Sequence, residues 1–122
     1  GDYKVKETSK IKIKKQDNLN IELEKNVDIL NYVSNHNSLR PKLVVGFAAE
    51  TNNLEKYADK KLNEKNCDWI IANDVSNEKI GFNSDFNEVS IFYKNNKTDK
   101  LKYKPKSEIS DELVEKIINH LN

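Results

Sequence analysis

Two lysines, Lys61 and Lys65, stand four residues apart in the run NNLEKYADKKLNEK (residues 52–65), whose apolar positions recur at helical spacing. At about 100° per residue, with Leu54 set at zero, Tyr57 falls near −60°, Ala58 near +40° and Leu62 near +80°. On the same wheel Lys61 falls near −20° and Lys65 near +20°, in the middle of the apolar stripe, while Lys56 and Lys60 point away from it. An ammonium on an inward face must extend past its stem to water, pair with an acid, or border a cleft that holds an anion. Because both lie in the last turns, the helix dipole also favours them.

Further candidates cluster where two apolar segments end. Ligands of open α/β sheets gather beyond the carboxyl ends of parallel strands, and Gly46-Phe47-Ala48-Ala49-Glu50 and Asn73-Asp74-Val75-Ser76 both read as ending at that edge. Small residues there allow a ligand close approach and Phe47 offers a flat face to a base. The same residues serve equally to let a helix pack, with Phe47 in the core. Asp2, Asp74 and Asp85 are oxygen donors, but their spacing matches no dedicated metal loop and loop aspartates commonly form turns. The run KIKIKK (10–15) lacks the interleaved aromatics of a single-strand nucleic-acid surface and reads as a solvated charge run. Neither His36 nor His120 has a Cys or acidic neighbour at zinc or triad spacing, and both read as surface residues. The chain contains no G-x-G-x-x-G and no Walker loop, so a complete dinucleotide or P-loop site is excluded.

The elements that must position these residues follow from hydrophobic period. Residues 2–15 offer only Val5, Ile11 and Ile13 as apolar anchors and read as an exposed, mobile arm or edge. LNIELEK (19–25) alternates like a half-buried strand, and Asn26 is placed to cap a short helix carrying Ile29, Leu30 and Val33, with Asp28 near its positive end. KLVVGF (42–47), a helix over 53–65 and CDWIIAND (67–74) make a βαβ unit whose uniformly apolar strands belong to a parallel sheet. EVSIFYK (88–94) pairs with KLKYK (100–104) across Asn95-Asn96-Lys97, and a closing helix over 108–121 carries Ile109, Leu113, Ile117 and Leu121. The fold class is α/β: a Rossmann-like, mostly parallel sheet flanked by helices, with a C-terminal β-hairpin and helix, and part of a domain rather than a whole one.

At 122 residues the chain fits one domain. Charged residues make up 34%, yet the net charge is +1, so no global field draws it to nucleic acid or membrane. No apolar run reaches the ~20 residues of a membrane span. A lone cysteine, Cys67, leaves no disulfide and fits a reducing cytoplasm. Twenty Lys stand against a single Arg, Arg40, the bias of an AT-rich genome, which lowers the weight of any lysine cluster. The chain has no Met, so Gly1 reads as a cleavage scar or internal start and the chain as a piece of a longer protein.

The stretches DY (2–3), KIKK (12–15), NVDIL (26–30), RPKLVVGFAAETNNLEKYADKKL (40–62), DWIIANDVS (68–76) and IGFNSDFN (80–87) together resemble the C-terminal half of the bacterial phosphopantothenoylcysteine synthetase domain. This is the phosphopantothenate–cysteine ligase of coenzyme A synthesis, often fused behind a flavin-dependent decarboxylase. The resemblance covers nearly the whole chain. It implies that the carboxylate of 4′-phosphopantothenate attacks the α-phosphate of CTP, that pyrophosphate leaves, and that the cysteine amine then displaces CMP from the acyl-cytidylate. It further implies that Asp2, Lys12, Val27, Asp28, Ile29, Leu30, Phe47, Lys61 and Lys65 serve the nucleotide, the backbone amides at 27–30 being free to meet it. The resemblance makes Lys12 the expected catalytic residue, on a flexible flap expected over residues 1–15. Asn73, Asp74, Phe82, Asn83 and Asp85 fall in loops that contact substrate or shape the site. Mg²⁺ accompanies CTP, FMN belongs only to the fused decarboxylase, and the synthetase is a homodimer in the cytoplasm with no nucleic-acid or membrane partner.

Two departures stand out. The family commonly has Pro at the position of Val27, a change that a first helical turn tolerates. The front half of the domain, with its Gly- and Ser-rich phosphate loop and an Asn needed for the chemistry, has no counterpart in these residues, so this chain is expected to be inactive by itself. The alternatives are a non-catalytic nucleotide-binding module and a nucleic-acid-binding protein built on the lysine arm.

Overall fold

The computed structural model describes residues 2–7, 20–50, 53–74 and 84–122. Lys12, Phe82 and Asn83 lie outside them. The described elements are β1 (Tyr3–Val5), β2 (Leu23–Lys25), α1 (Ile29–Ser34), β3 (Val45–Glu50), α2 (Leu54–Glu64), β4 (Trp69–Asp74), β5 (Phe86–Tyr93), β6 (Thr98–Pro105) and α3 (Lys106–Leu121). Strands β3-β4-β5-β6 form a four-stranded sheet in that order, and β1 and β2 form a separate two-stranded ribbon.

The βαβ unit is as the sequence implies: β3 and β4 are parallel, with Val45 opposite Trp69 and Glu50 opposite Asp74. Strands β5 and β6 join antiparallel, so the described sheet is mixed, one parallel pairing and two antiparallel. A short turn returns β5 into β6: the Tyr93 N–H donates to the Lys97 carbonyl at 3.0 Å, and Asn96 takes φ 62°, a left-handed conformation that Asn tolerates.

Both faces of β4 are buried, which explains its unbroken apolar run. Ile70 and Ala72 join Val44, Ala48, Ala58, Leu62, Cys67 and Phe92 under α1 and α2. Trp69 and Ile71 join Val89, Ile91, Leu101 and Ile109 under α3, where Leu113 and Ile117 also pack. Leu121, read as part of that stripe, is 47% exposed. The α3 helix begins two residues earlier than its apolar period because the Lys106 N–H donates to the Asp85 carbonyl at 2.9 Å, tying the helix start to the entry of β5.

Three local readings are corrected. Strand β3 starts at Val45 rather than Lys42, since Val44 is held by Asp68: its N–H donates to Asp68 Oδ2 at 2.7 Å and its carbonyl accepts from the Asp68 and Trp69 amides. Gly46 to Glu50 therefore lie within the strand, not in a loop after it. The cap of α1 is Asp28 rather than Asn26: Asp28 Oδ1 accepts the Asn31 N–H at 2.9 Å, while the Asn26 N–H is spent on the Asp2 carbonyl at 2.8 Å. Finally, the strand read over 19–25 is not half-buried where it is described, over 20–25. Only Leu23–Lys25 is extended among the described residues, fully exposed, and it pairs with Tyr3–Val5 of the segment read as a mobile arm. The ribbon's polar side carries the pairs Lys4–Glu24 at 3.1 Å and Lys6–Glu22 at 3.2 Å, exposed contacts that contribute little.

Candidate functional site

Helix α2 packs Ala58 and Leu62 against the sheet and ends in a Schellman-type turn. Asn66 takes φ 52° and the Cys67 N–H reaches back to the Leu62 carbonyl at 3.2 Å. Lys61 and Lys65 thus emerge from the sheet side of the helix, as their angles imply, and each meets an acid. Lys61 Nζ is 3.3 Å from Glu50 Oε1 at the end of β3, and Lys65 Nζ is 2.5 Å from Asp28 Oδ2 at the start of α1. Neither is sealed in: their side chains are 41% and 32% exposed.

Asp28 has two attachments that both favour its charged form. The hydrogen bond from Lys65, then that from the Asn31 amide, hold its carboxyl below the usual aspartate range, and the same contact raises Lys65. The amides read as free at 27–30 lead into a helix whose Asn31 N–H is already taken by the Asp28 side chain. Val27 and Ile29 are 75% and 74% exposed, while Leu30 turns inward onto the core. That inward turn is possible because residue 46 is glycine. A Cβ there would meet Leu30 Cδ2 at 2.7 Å and Ile70 Cδ1 at 2.8 Å, so Gly46 admits the helix rather than a phosphate.

Of the residues expected at the site, Asp2, the segment Val27–Leu30, Lys61 and Lys65 gather on one side of the sheet. Asp2 is fastened there by the Asn26 amide. Phe47 does not join them. Val45 packs under α3 and Gly46 under α1, so alternation puts Phe47 on the α3 side, where it is 66% exposed on a strand paired only with β4 among the described residues. Asn73 stands at the end of β4, its Oδ1 accepting from Asn87 Nδ2 at 3.3 Å, and Asp74 is in register with Glu50. Asp85 is spent on the β5–α3 junction through its backbone carbonyl.

Among the described residues no group of three or more His, Cys, Asp or Glu is placed to hold a metal. His36 serves a turn, its Nδ1 accepting the Leu39 N–H at 3.0 Å. His120 lies edge-on to Trp69, ring centroids 5.2 Å apart. Cys67 is buried and its thiol is pushed up by desolvation, which leaves it a packing residue rather than a nucleophile. No described helix is long and apolar enough to cross a membrane.

Sequence reasoning missed Glu50 as the partner of Lys61, and it missed Arg40. Arg40 Nε donates to the Ser34 carbonyl at 2.8 Å, and its Nη2 donates to the Asn66 carbonyl at 3.1 Å and to Asp68 Oδ2 at 3.0 Å. A single arginine among twenty lysines was the available signal, because a planar fork does what an ammonium cannot.

Comparison with known proteins agrees with this architecture. The coenzyme A biosynthesis bifunctional protein CoaBC of Haemophilus influenzae is 47% identical over 119 residues, 97% of this chain and 29% of that protein. Its counterpart in Bacillus subtilis is 40% identical over 118 residues, 96% of this chain and 29% of the relative. The chain therefore spans less than a third of the length of these relatives. The crystal structure of the C-terminal domain of CoaBC superposes with a TM-score of 0.67 at 38% identity, covering 83% of this chain and 45% of that one. The DNA/pantothenate metabolism flavoprotein from Streptococcus pneumoniae follows with a TM-score of 0.60 at 25% identity, covering 84% of this chain and 44% of that one. The mixed sheet and its flanking helices are thus part of a larger known domain architecture, and a family model matches residues 1–121. The chain belongs to the DNA/pantothenate metabolism flavoprotein C-terminal domain family.

Proposed function

We propose that this chain supplies one side of the nucleotide site of a CTP-dependent phosphopantothenate–cysteine ligase acting in coenzyme A synthesis. The observation that carries the reading is the pair Lys61 and Lys65, one turn apart on the sheet side of α2, each held by a solvent-contacting carboxylate. Such an ammonium exchanges its carboxylate for a phosphate at small cost, since a partly exposed ion pair is weak. The relatives are named as coenzyme A biosynthesis proteins, which supports the same choice.

In this reading the phosphopantothenate carboxylate attacks the α-phosphorus of CTP and the bond to pyrophosphate breaks. Lys61 and Lys65 offset the charge of the triphosphate and of the departing pyrophosphate. Asp2 and the Val27–Leu30 segment border the nucleotide from the α1 side, and Phe47 flanks it from the other side of the sheet edge. Lys12 meets charge developing on the acyl oxygen or phosphate. The cysteine amine then attacks the acyl carbon, CMP leaves, and the amine loses a proton. Mg²⁺ is carried in on the triphosphate, where it screens charge. The working enzyme is a cytoplasmic homodimer, and FMN belongs only to a decarboxylase domain where one is fused to it.

The test uses a full-length protein containing this chain. Given phosphopantothenate, CTP and Mg²⁺ but no cysteine, it should release pyrophosphate and retain CMP as an acyl-cytidylate. Release of CDP excludes the mechanism, and CTP binding without any turnover makes the chain part of a nucleotide-binding module instead.

A further inference from the structure

Three segments meet at one side chain. Arg40, on the connection between α1 and β3, reaches the last carbonyl of α1 (Ser34), the carbonyl of Asn66 after α2, and the carboxylate of Asp68 before β4. Its Nη1 also donates to the Pro41 carbonyl at 3.1 Å. Asp68 Oδ2 in turn holds the Val44 amide at 2.7 Å, at the entry of β3. The arrangement is half-buried, with the Arg40 and Asp68 side chains 27% and 23% exposed. Ser34 is fully buried and its Oγ donates to the Lys65 carbonyl.

The C-termini of α1 and α2 are therefore bolted together, by Ser34 onto Lys65 and by Arg40 onto the ends of both helices. The helix pair meets again at the Lys65–Asp28 contact, which spans from the end of α2 to the start of α1. Whether Lys65 Nζ stands where an anion can take it from Asp28 depends on how α1 sits against α2, and Arg40 sets that. A lysine at 40 would offer one point charge to acceptors that lie on different segments and could not bond the Ser34 and Asn66 carbonyls and Asp68 together as the guanidinium fork does.

We propose that Arg40 is a positioning residue for nucleoside triphosphate binding: it fixes α1 against α2 so that Lys65 is presented to the phosphates. This rests on the reading of Lys65 as a phosphate ligand. Displacements of about 1 Å in such a support cost up to ~10²-fold in a reaction that depends on the geometry. Because Arg40 acts chiefly through Lys65, most of its effect disappears when Lys65 is already gone, the remainder passing through the Val27–Leu30 segment that α1 carries.

The test is a double-mutant cycle in the full-length protein containing this chain, read as kcat and KM for CTP by pyrophosphate release. Lys65→Gln should raise KM for CTP about tenfold, and Arg40→Lys about fivefold with kcat within about twofold. Arg40→Lys added to Lys65→Gln should raise KM by less than about twofold more. A multiplicative double mutant overturns the proposal, since Arg40 then acts on the fold at large. If Arg40→Lys fails to fold, Asp68→Asn keeps an acceptor for Val44 while weakening the hold on Arg40, and should show the same loss of effect in the Lys65→Gln background. Lys65→Gln with unchanged KM removes the phosphate reading itself and this proposal with it, whereas a raised KM with additive Arg40→Lys removes the positioning role alone.

Discussion

Lys65 Nζ stands 2.5 Å from Asp28 Oδ2, joining the C-cap of α2 to the N-cap of α1 across 37 residues of chain. One carboxylate thus does two jobs, since its other oxygen caps Asn31 at 2.9 Å. The pair is partly exposed, so it marks where the helices meet more than it stabilises them.

Asp28 contributes an acid-sensitive part of stability. Its folded-state pKa is depressed below the ordinary 3.8, first by Lys65 and then by the Asn31 amide. The contribution is present above that ordinary value and is lost as pH falls through the lower folded value. Asp28→Asn, which retains the capping oxygen, should flatten the fall of Tm below about pH 4. An acid limb identical to wild type would contradict this. Asp28→Ala should lose in addition about 1 kcal/mol at pH 7 through the missing cap.

Glu50 Oε1 holds Lys61 Nζ at 3.3 Å. If Lys61 binds the triphosphate as proposed, Glu50→Gln should release that ammonium and lower KM for CTP about two- to fivefold in the full-length protein, because the phosphate no longer competes with a carboxylate. A raised KM would show that Glu50 orients Lys61 instead.

Gly46→Ala places a methyl 2.7 Å from Leu30 Cδ2 and 2.8 Å from Ile70 Cδ1. Ile70 is fully buried and Leu30 only partly so, so Leu30 is the side chain that gives way, shifting α1 outward with it. The cost should be about 1–3 kcal/mol in denaturant melts, with KM for CTP rising because Asp28 moves with its helix. An unchanged melt would mean that α1 adjusts freely.

On the other face, Asp99 Oδ2 accepts from Lys116 Nζ at 2.6 Å and from the Tyr93 hydroxyl at 2.8 Å, pinning α3 to the hairpin. Lys116, then Tyr93, depress the Asp99 pKa, while burial and then Asp99 raise that of Tyr93. Asp99 therefore supports the fold above pH 3.8 and loses that support as pH falls through its lower folded value. Tyr93 supports the fold below its ordinary 10.0 and loses that support as pH rises through its folded value. Lys116→Gln should move the onset of acid unfolding upward in pH. Tyr93→Phe should remove the absorbance change of one late-ionising phenol.

The alternation and period of the chain determined the βαβ unit, the β5–β6 hairpin, α3 and the inward aspect of Lys61 and Lys65, because burial on one or two faces is written directly as hydrophobic spacing. The resemblance in residues 40–62 and 68–76 was equally legible. Tertiary structure alone decided the rest. Strand β3 begins three residues late because a distant carboxylate, Asp68, holds Val44, and no local pattern encodes that contact. The α1 cap passes from Asn26 to Asp28 because Asn26 is drawn into the ribbon by Asp2. Strand parity sends Phe47 to the face opposite the lysines, and a three-residue shift in the strand boundary was enough to hide it. Above all, the identities of the acids that hold Lys61 and Lys65, and of the arginine that ties α1 to α2, are pairings between residues 6 to 37 apart in the chain. Charges at such separations meet only once the core has brought the helices together, and that packing is a property of the whole fold.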